Sequence, residues 1–182
     1  MIPILVTPNP VLREIAKPVT KVDKKLLDLI NQMRKALLAA KDPEGVGLAA
    51  PQVGVPLRLF LARPNFKKPP ILFINPEIIS YSQRQQTHNT RNGVYEGCLS
   101  IPHHYAPLKR SMAVTVKYQT IKSPPSPSEI LIDKTENFSG FLAHIIQHEV
   151  DHLNGILFID HVLSQNSKLF RIQGKDWEEL SI

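Results

Sequence analysis

The stretch GFLAHIIQHEVDHLNG, residues 140–155, decides the fold. Phe141, Leu142, Ile145, Ile146, Val150 and Leu153 recur at helical spacing, so the stretch predicts a largely buried helix over Gly140–Asn154, with Ser139 as its cap and Gly155 as its stop. His148, Glu149 and His152 lie on it in the order His-Glu-x-x-His. Residues four apart share a helix face about 6 Å apart along the axis, so both imidazoles can reach one ion, with the glutamate beside it. The same two histidines could also be satisfied by Asp151 or by backbone carbonyls. That account leaves the presence of Glu149 unexplained, and buried histidines need partners. His144 extends the stripe, but His144 and His152 are eight residues and about 12 Å apart along the axis, too far for one ion to take all three. The sequence therefore makes His144 a bystander, bonded to a backbone carbonyl or facing solvent.

Upstream of this helix the chain reads mostly as strands. Leu57–Ala62, Ile71–Asn75 ending at Pro76, the alternating Ala113–Tyr118 and Ile130–Ile132 are each short and apolar or alternating. The segment Ser123–Ser128, SPPSPS, makes a turn between the last two, and the polar Ile78–Val94 reads as a hairpin arm or loop. One earlier helix is predicted over Val22–Lys41 from Leu26, Ile30, Met33, Leu37 and Leu38, capped by Thr20 or Asp23 and stopped by Asp42, Pro43, Glu44 and Gly45. Strands first and a late core helix imply an α+β fold: antiparallel or mixed sheets packed around the central helix. At 182 residues the chain is the size of one domain, 1–182, with 162–182 a short C-terminal tail that Trp177 could dock.

Composition narrows the classes. Hydrophobic residues make up 42% and charged residues 21%, and no apolar run approaches the roughly 18 residues that span a bilayer. Met1–Pro18 is broken by prolines and lacks the pattern of a signal peptide, and a single cysteine fits a reducing compartment. Both point to a cytoplasmic protein without membrane contact. The net charge of +6 permits weak, transient association with a ribosome surface and equally describes a solvated basic surface; nothing points to specific DNA binding.

Two further segments could join the helix in a site. Glu96-Gly97-Cys98-Leu99-Ser100 holds the lone cysteine, which is either an inert buried hydrophobe or a thiolate completing a three-ligand site with one open position. Gly45-Val46-Gly47-Leu48-Ala49-Ala50-Pro51-Gln52 is rich in small residues that let another strand or a peptide pack closely. It lacks the Gly-Lys-Ser/Thr ending of a phosphate loop.

Taken in order, GVGLAAPQ, EGCLS and QHEVDH resemble the three signature motifs of the peptide deformylase family. Pro8–Arg13, Asn75-Pro76 and Leu157–Asp160 are similar to family positions as well, so the likeness runs from about Ile4 to Asp160. The resemblance implies a hydrolase that releases formate from the N-terminal formyl-methionine of nascent polypeptides. It implies that Cys98, His148 and His152 hold one divalent metal with water as a fourth ligand, Fe(II) in most relatives with Ni, Co or Zn able to replace it. Glu149 would serve as general base and then acid, while Gln52 and the backbone of Leu99 stabilise the oxyanion. Val46, Gly47 and Gly97 would pair with an extended N-formyl-methionyl peptide. Ile145, Ile101 and Leu142 are candidates for its methionine pocket, and an ion pair of Glu96 with Arg110 could brace Cys98.

The chain departs from the family pattern in a longer Ser80–Tyr95 arm, in His103-His104-Tyr105, in His161 where many relatives have arginine, and in its tail. Two other readings stand beside it: a zinc metallopeptidase using His161 or Asp160 as third ligand, and a basic binding domain stabilised by a structural metal.

Overall fold

The computed structural model describes residues 2–41, 44–86, 95–121, 131–174 and 176–181. Within them the chain forms α1 (Lys24–Ala39), β1 (Gly47–Ala49), β2 (Leu59–Ala62), β3 (Ile71–Tyr81), β4 (Glu96–Cys98), β5 (Ile101–Ala106), β6 (Ala113–Ile121), β7 (Leu131–Ser139), α2 (Gly140–Leu153), α3 (Phe158–Ser164), β8 (Leu169–Gln173) and β9 (Asp176–Leu180). The SPPSPS turn, Ile130 of the expected strand after it, the Asp42-Pro43 helix stop and residues 87–94 of the polar arm lie outside the described residues.

The strands make two antiparallel sheets, one in the order β1-β2-β3-β6-β7 and the other β4-β5-β8-β9. The first sheet is covered on both faces near β2, and the alternation of side chains along a strand explains how. Phe60 and Ala62 point to one side, where they join Ala143, Ile146, Val150 and Leu153 of α2. Leu59 and Leu61 point to the other and meet Leu26, Ile30, Met33 and Leu37 of α1. A strand buried on both faces reads as a continuous apolar run, as LFLA does. On the α2 side Phe60 stacks on Phe73 at 4.6 Å between ring centroids, and Phe73 meets Tyr118 at 4.6 Å.

The helices stand where the periodicity places them, with local differences. Asp23, not Thr20, caps α1, its side chain accepting the Leu26 N–H at 2.9 Å. Leu38 falls off the buried face and is 46% exposed. Ser139 occupies the N-cap position of α2 but makes no side-chain cap hydrogen bond. The helix ends at Leu153, and Gly155 takes a left-handed φ of 71° where a Cβ would meet the Arg13 carbonyl oxygen at 2.4 Å. That close crossing ties the N-terminal segment to the exit of α2.

Three strands differ from expectation. β3 does not stop at Pro76 but runs on to Tyr81, because Asn75 adopts φ 48° and the register with β6 shifts between Ile74 and Glu77. A bulge of this kind lets a proline pass through a strand without breaking the ladder. β6 continues to Ile121, and β7 pairs with it along its length to Ser139. β7 is an edge strand with an exposed face, so its Asp133, Lys134, Glu136 and Asn137 look like loop residues in the sequence. The tail is a helix and a hairpin: β8 pairs with β5 at His104↔Arg171 and Tyr105↔Phe170, and β9 closes against β8. Among the described residues no helix is long and apolar enough to cross a membrane.

Candidate active site and metal centre

α2 carries His148, Glu149 and His152 into the space between the two sheets, and β4 ends there in Cys98. The Sγ of Cys98 and one ring nitrogen each of His148 and His152 lie within 4.8 Å of one another, and all three residues are buried. The Sγ is 3.1 Å from His152 Nε2. Bonds of about 2.0–2.3 Å from two imidazoles and a thiolate to one ion need only small side-chain adjustments from this arrangement.

The surroundings also suit a metal. Nδ1 of His148 lies 2.7 Å from Glu96 Oε1, and because a carboxylate only accepts, that nitrogen donates. Burial would lower the ring's pKa, but its hydrogen bonds to Cys98 and Glu96 raise it well above the ordinary value, so the ring favours the cation and a metal would take the place of the Nε2 proton. Burial and the neighbouring His148 hold the His152 ring well below its ordinary pKa, in the neutral form that can act as a ligand.

Glu96 is the hub of this arrangement. Its Oε2 accepts from Arg110 Nε at 2.9 Å and its Oε1 from Arg110 Nη2 at 2.6 Å, so the expected ion pair is present and bidentate. Burial alone would raise the Glu96 pKa, but the charge of Arg110 and the hydrogen bonds from His144, His148 and Arg110 hold it well below the usual carboxylate range. The ion pair braces His148 directly, where Cys98 was expected. His144 is likewise not the carbonyl-bonded or solvent-facing residue of the sequence reading: it is buried, with Nε2 3.0 Å from Glu96 Oε2. Asp151 serves neither His148 nor His152; its Oδ2 takes Arg110 Nη1 at 2.6 Å and His161 Nε2 at 2.8 Å. Asp160 pairs with Arg13. Both candidate third ligands of a metallopeptidase are thus engaged elsewhere.

Glu149 lies against β1. It is buried, its Oε2 has no hydrogen-bond partner among the described residues, and burial pushes its pKa up to about 7 against the opposing charge of His148. A Cβ on Gly47 would stand 2.1 Å from Glu149 Oε1 and 2.7 Å from its carboxyl carbon, so the first glycine of β1 is the space the carboxylate occupies. Gly47→Ala should therefore displace Glu149 and lower kcat by at least about tenfold while metal content and fold persist, since small misplacements of catalytic groups carry losses of up to about 10². Formate release and circular dichroism on one sample check this; an alanine variant with full activity would show that Glu149 does not need its present position.

Gln52 sits in the 3-10 turn Ala50–Val53, with its Oε1 held by the Ala49 N–H at 2.8 Å. This directs its Nε2 to Ser100 Oγ at 3.1 Å and Cys98 Sγ at 3.5 Å. Val46, Gly47, Gln52, Gly97, Cys98, Leu99, His148 and Glu149 all border one cavity of about 250 Å³. Of the three candidates for the methionine pocket only Ile145 lines it, because Ile101 packs with the residues around α3 and Leu142 against the α2 core. Phe141, His144, Tyr95 and Tyr105 line it too. Phe141 and His144 were within reach of the helical spacing, seven and four residues before His148. Tyr105 stands in the His103-His104-Tyr105 departure from the family pattern, whereas Tyr95 left no local signal.

An α+β fold with two imidazoles, a cysteine sulfur and a buried carboxylate around one cavity is the arrangement of a hydrolase with a site that could hold a metal. The family model of polypeptide deformylase matches residues 1–168. The peptide deformylase of Agrobacterium fabrum is 40% identical over 163 residues, 88% of this chain and 86% of that protein. The crystal structure of the enzyme from Thermotoga maritima superposes with a TM-score of 0.74 at 38% identity, covering 88% of this chain and 97% of that one. A Met-Ala-Ser-bound peptide deformylase from Acinetobacter baumannii gives 0.70 at 32% identity, covering 88% and 98%. The chain belongs to the polypeptide deformylase family.

Proposed function

We propose that this protein removes the formyl group from the N-terminal formyl-methionine of nascent polypeptides by hydrolysis, with Cys98, His148 and His152 holding one divalent metal. The observation that carries this reading is the meeting of those three donors with the unpartnered Glu149 oxygen at one cavity. A divalent ion held by these three residues would supply a Lewis acid that lowers the pKa of a water molecule towards neutrality.

Glu149 takes the proton of the attacking water and returns it to the leaving amine, so the carboxylate ends as it began. Negative charge grows on the formyl oxygen as the C–O bond forms. Gln52 faces that charge with the N–H now on Cys98 Sγ, the longer of its two contacts, and the Leu99 N–H is the second donor. Val46, Gly47 and Gly97 offer main-chain groups along an extended peptide, which reads backbone more than side chain. Ile145 and Phe141 give the methionine an apolar wall.

The metal is Fe(II) in this reading, with Ni, Co or Zn able to take its place, since a thiolate and two imidazoles suit all four. The enzyme works in the cytoplasm on N-formyl-methionyl chains as they emerge, and its basic surface supports transient ribosome contact. Protein purified without oxygen should release formate from formyl-Met-Ala in proportion to its metal content. Cleavage of an internal peptide bond without formate would instead establish a metallopeptidase.

A further inference from the structure

The family match ends at residue 168, and the β8–β9 hairpin beyond it extends the sheet whose β4 and β5 line the cavity. β4 pairs with β5 at Gly97↔Tyr105, and β5 pairs with β8 at Tyr105↔Phe170. Gly97, Tyr105 and Phe170 therefore stand in one row across the sheet. The Tyr105 ring lies directly over the glycine, where a Cβ would meet it at 2.6 Å. Trp177 of β9 is registered with Ile172, two residues along from Phe170 on the same face, and its ring packs diagonally against this row. Its ring centroid is 4.9 Å from Tyr95, 5.7 Å from Tyr105 and 5.9 Å from Phe170.

Two members of this cluster, Tyr95 and Tyr105, line the cavity, while Trp177 remains 48% exposed. Half of the indole is thus open, at the end of an aromatic ledge that starts beside Cys98. Charges next to Trp177 are paired away from it: Glu178 holds Arg171 at 2.6 Å and Glu179 holds Lys168 at 2.7 Å. An aromatic surface left open in this way, continuous with a peptide-binding cavity, suits a large apolar side chain.

We infer that Tyr95, Tyr105 and Trp177 form an apolar subsite for the second or third residue of the formyl-peptide, and that Trp177 gives it a preference for large apolar side chains. The subsite rests on the deformylase reading for its substrate. It shares the cavity with the methionine wall of Ile145 and Phe141 but is made of other residues, and the C-terminal hairpin supplies its outer edge.

Steady-state kinetics of the metal-loaded protein with formyl-Met-Leu-Phe and formyl-Met-Ala-Ser test it. Trp177→Ala should raise KM for formyl-Met-Leu-Phe by about three- to tenfold, the range expected for one lost aromatic contact, with a much smaller rise for formyl-Met-Ala-Ser and kcat nearly constant for both. Trp177→Phe should recover most of the loss. Equal effects on the two peptides, or a fall in kcat with the thermal midpoint, would mean that the hairpin only clamps the sheet and would overturn the subsite.

A second readout needs no turnover, because Trp177 is the sole tryptophan. Met-Leu-Phe titrated into the zinc-loaded protein should change Trp177 emission saturably, and Met-Ala-Ser should do so more weakly. If the wild type releases no formate but this titration saturates, the deformylase reading fails and the subsite stands. Formate release with neither the KM difference nor the emission change removes the subsite alone.

Discussion

Glu149→Gln is expected to keep close to one metal ion per chain and to lose about 10² to 10⁴ of kcat, the range that a positioned general base supplies. Glutamine has the shape of glutamate, so it fills the same space against Gly47 and leaves the packing of β1 on α2 intact. It cannot take a proton from water at neutral pH. Among the described residues the Glu149 Oε2 has no partner although its surroundings are buried, and a buried polar oxygen left without a partner is costly. Such an atom persists where a ligand satisfies it, and in the proposed reaction that ligand is the attacking water. Glu149 is not among the three residues whose donor atoms converge, so its replacement should spare metal content. Formate release and elemental analysis on one preparation test both halves. Near-normal turnover would remove Glu149 as the base, and loss of the metal would make it a ligand.

The parts of this molecule that could be read from its sequence are those whose physics is local. Residues 140–155 carry helical periodicity and the His-Glu-x-x-His spacing within a single element, so both the helix and the pair of candidate ligands follow from adjacent residues. The same holds for α1 and for β2, whose LFLA run announces burial on both faces. Information failed where one element depends on another. Pro76 reads as a strand end, and only the bulges against β6 show why β3 continues to Tyr81. The polar face of β7 resembles a loop until its pairing with β6 is known.

In the site, the motif residues and the Glu96–Arg110 pair were visible, but not that Glu96 also holds two histidines 48 and 52 residues away. A carboxylate with several partners is a tertiary fact. Tyr95, Tyr105 and Trp177 come together only after β5 has paired with β4 and β8, so no single segment of the chain displays the ledge.

Cys98→Ala should lose most of its metal and nearly all activity, whereas His144→Ala should keep close to one ion per chain and about a tenth or more of wild-type turnover, as expected for a residue acting through another ligand's partner. The contrast follows from where the donor atoms lie. Cys98 Sγ, His148 and His152 meet within 4.8 Å, while His144 points its Nε2 to Glu96 Oε2, the carboxylate oxygen that His148 does not use.

Removing the Cys98 sulfur would take away one of the three proposed protein ligands and the only one that a metal would hold as an anion. Removing His144 takes one hydrogen bond from Glu96, which retains both contacts to Arg110 and the one to His148. His148 therefore stays oriented toward Cys98 and His152. Replacing His144 also opens space beside Phe141, whose ring is 6.4 Å away on the cavity wall, so part of its effect should appear as a higher KM. Metal content by elemental analysis and formate release separate the two variants. Metal surviving in Cys98→Ala and lost in His144→Ala would invert the assignment and return the helix to a site built from histidines alone.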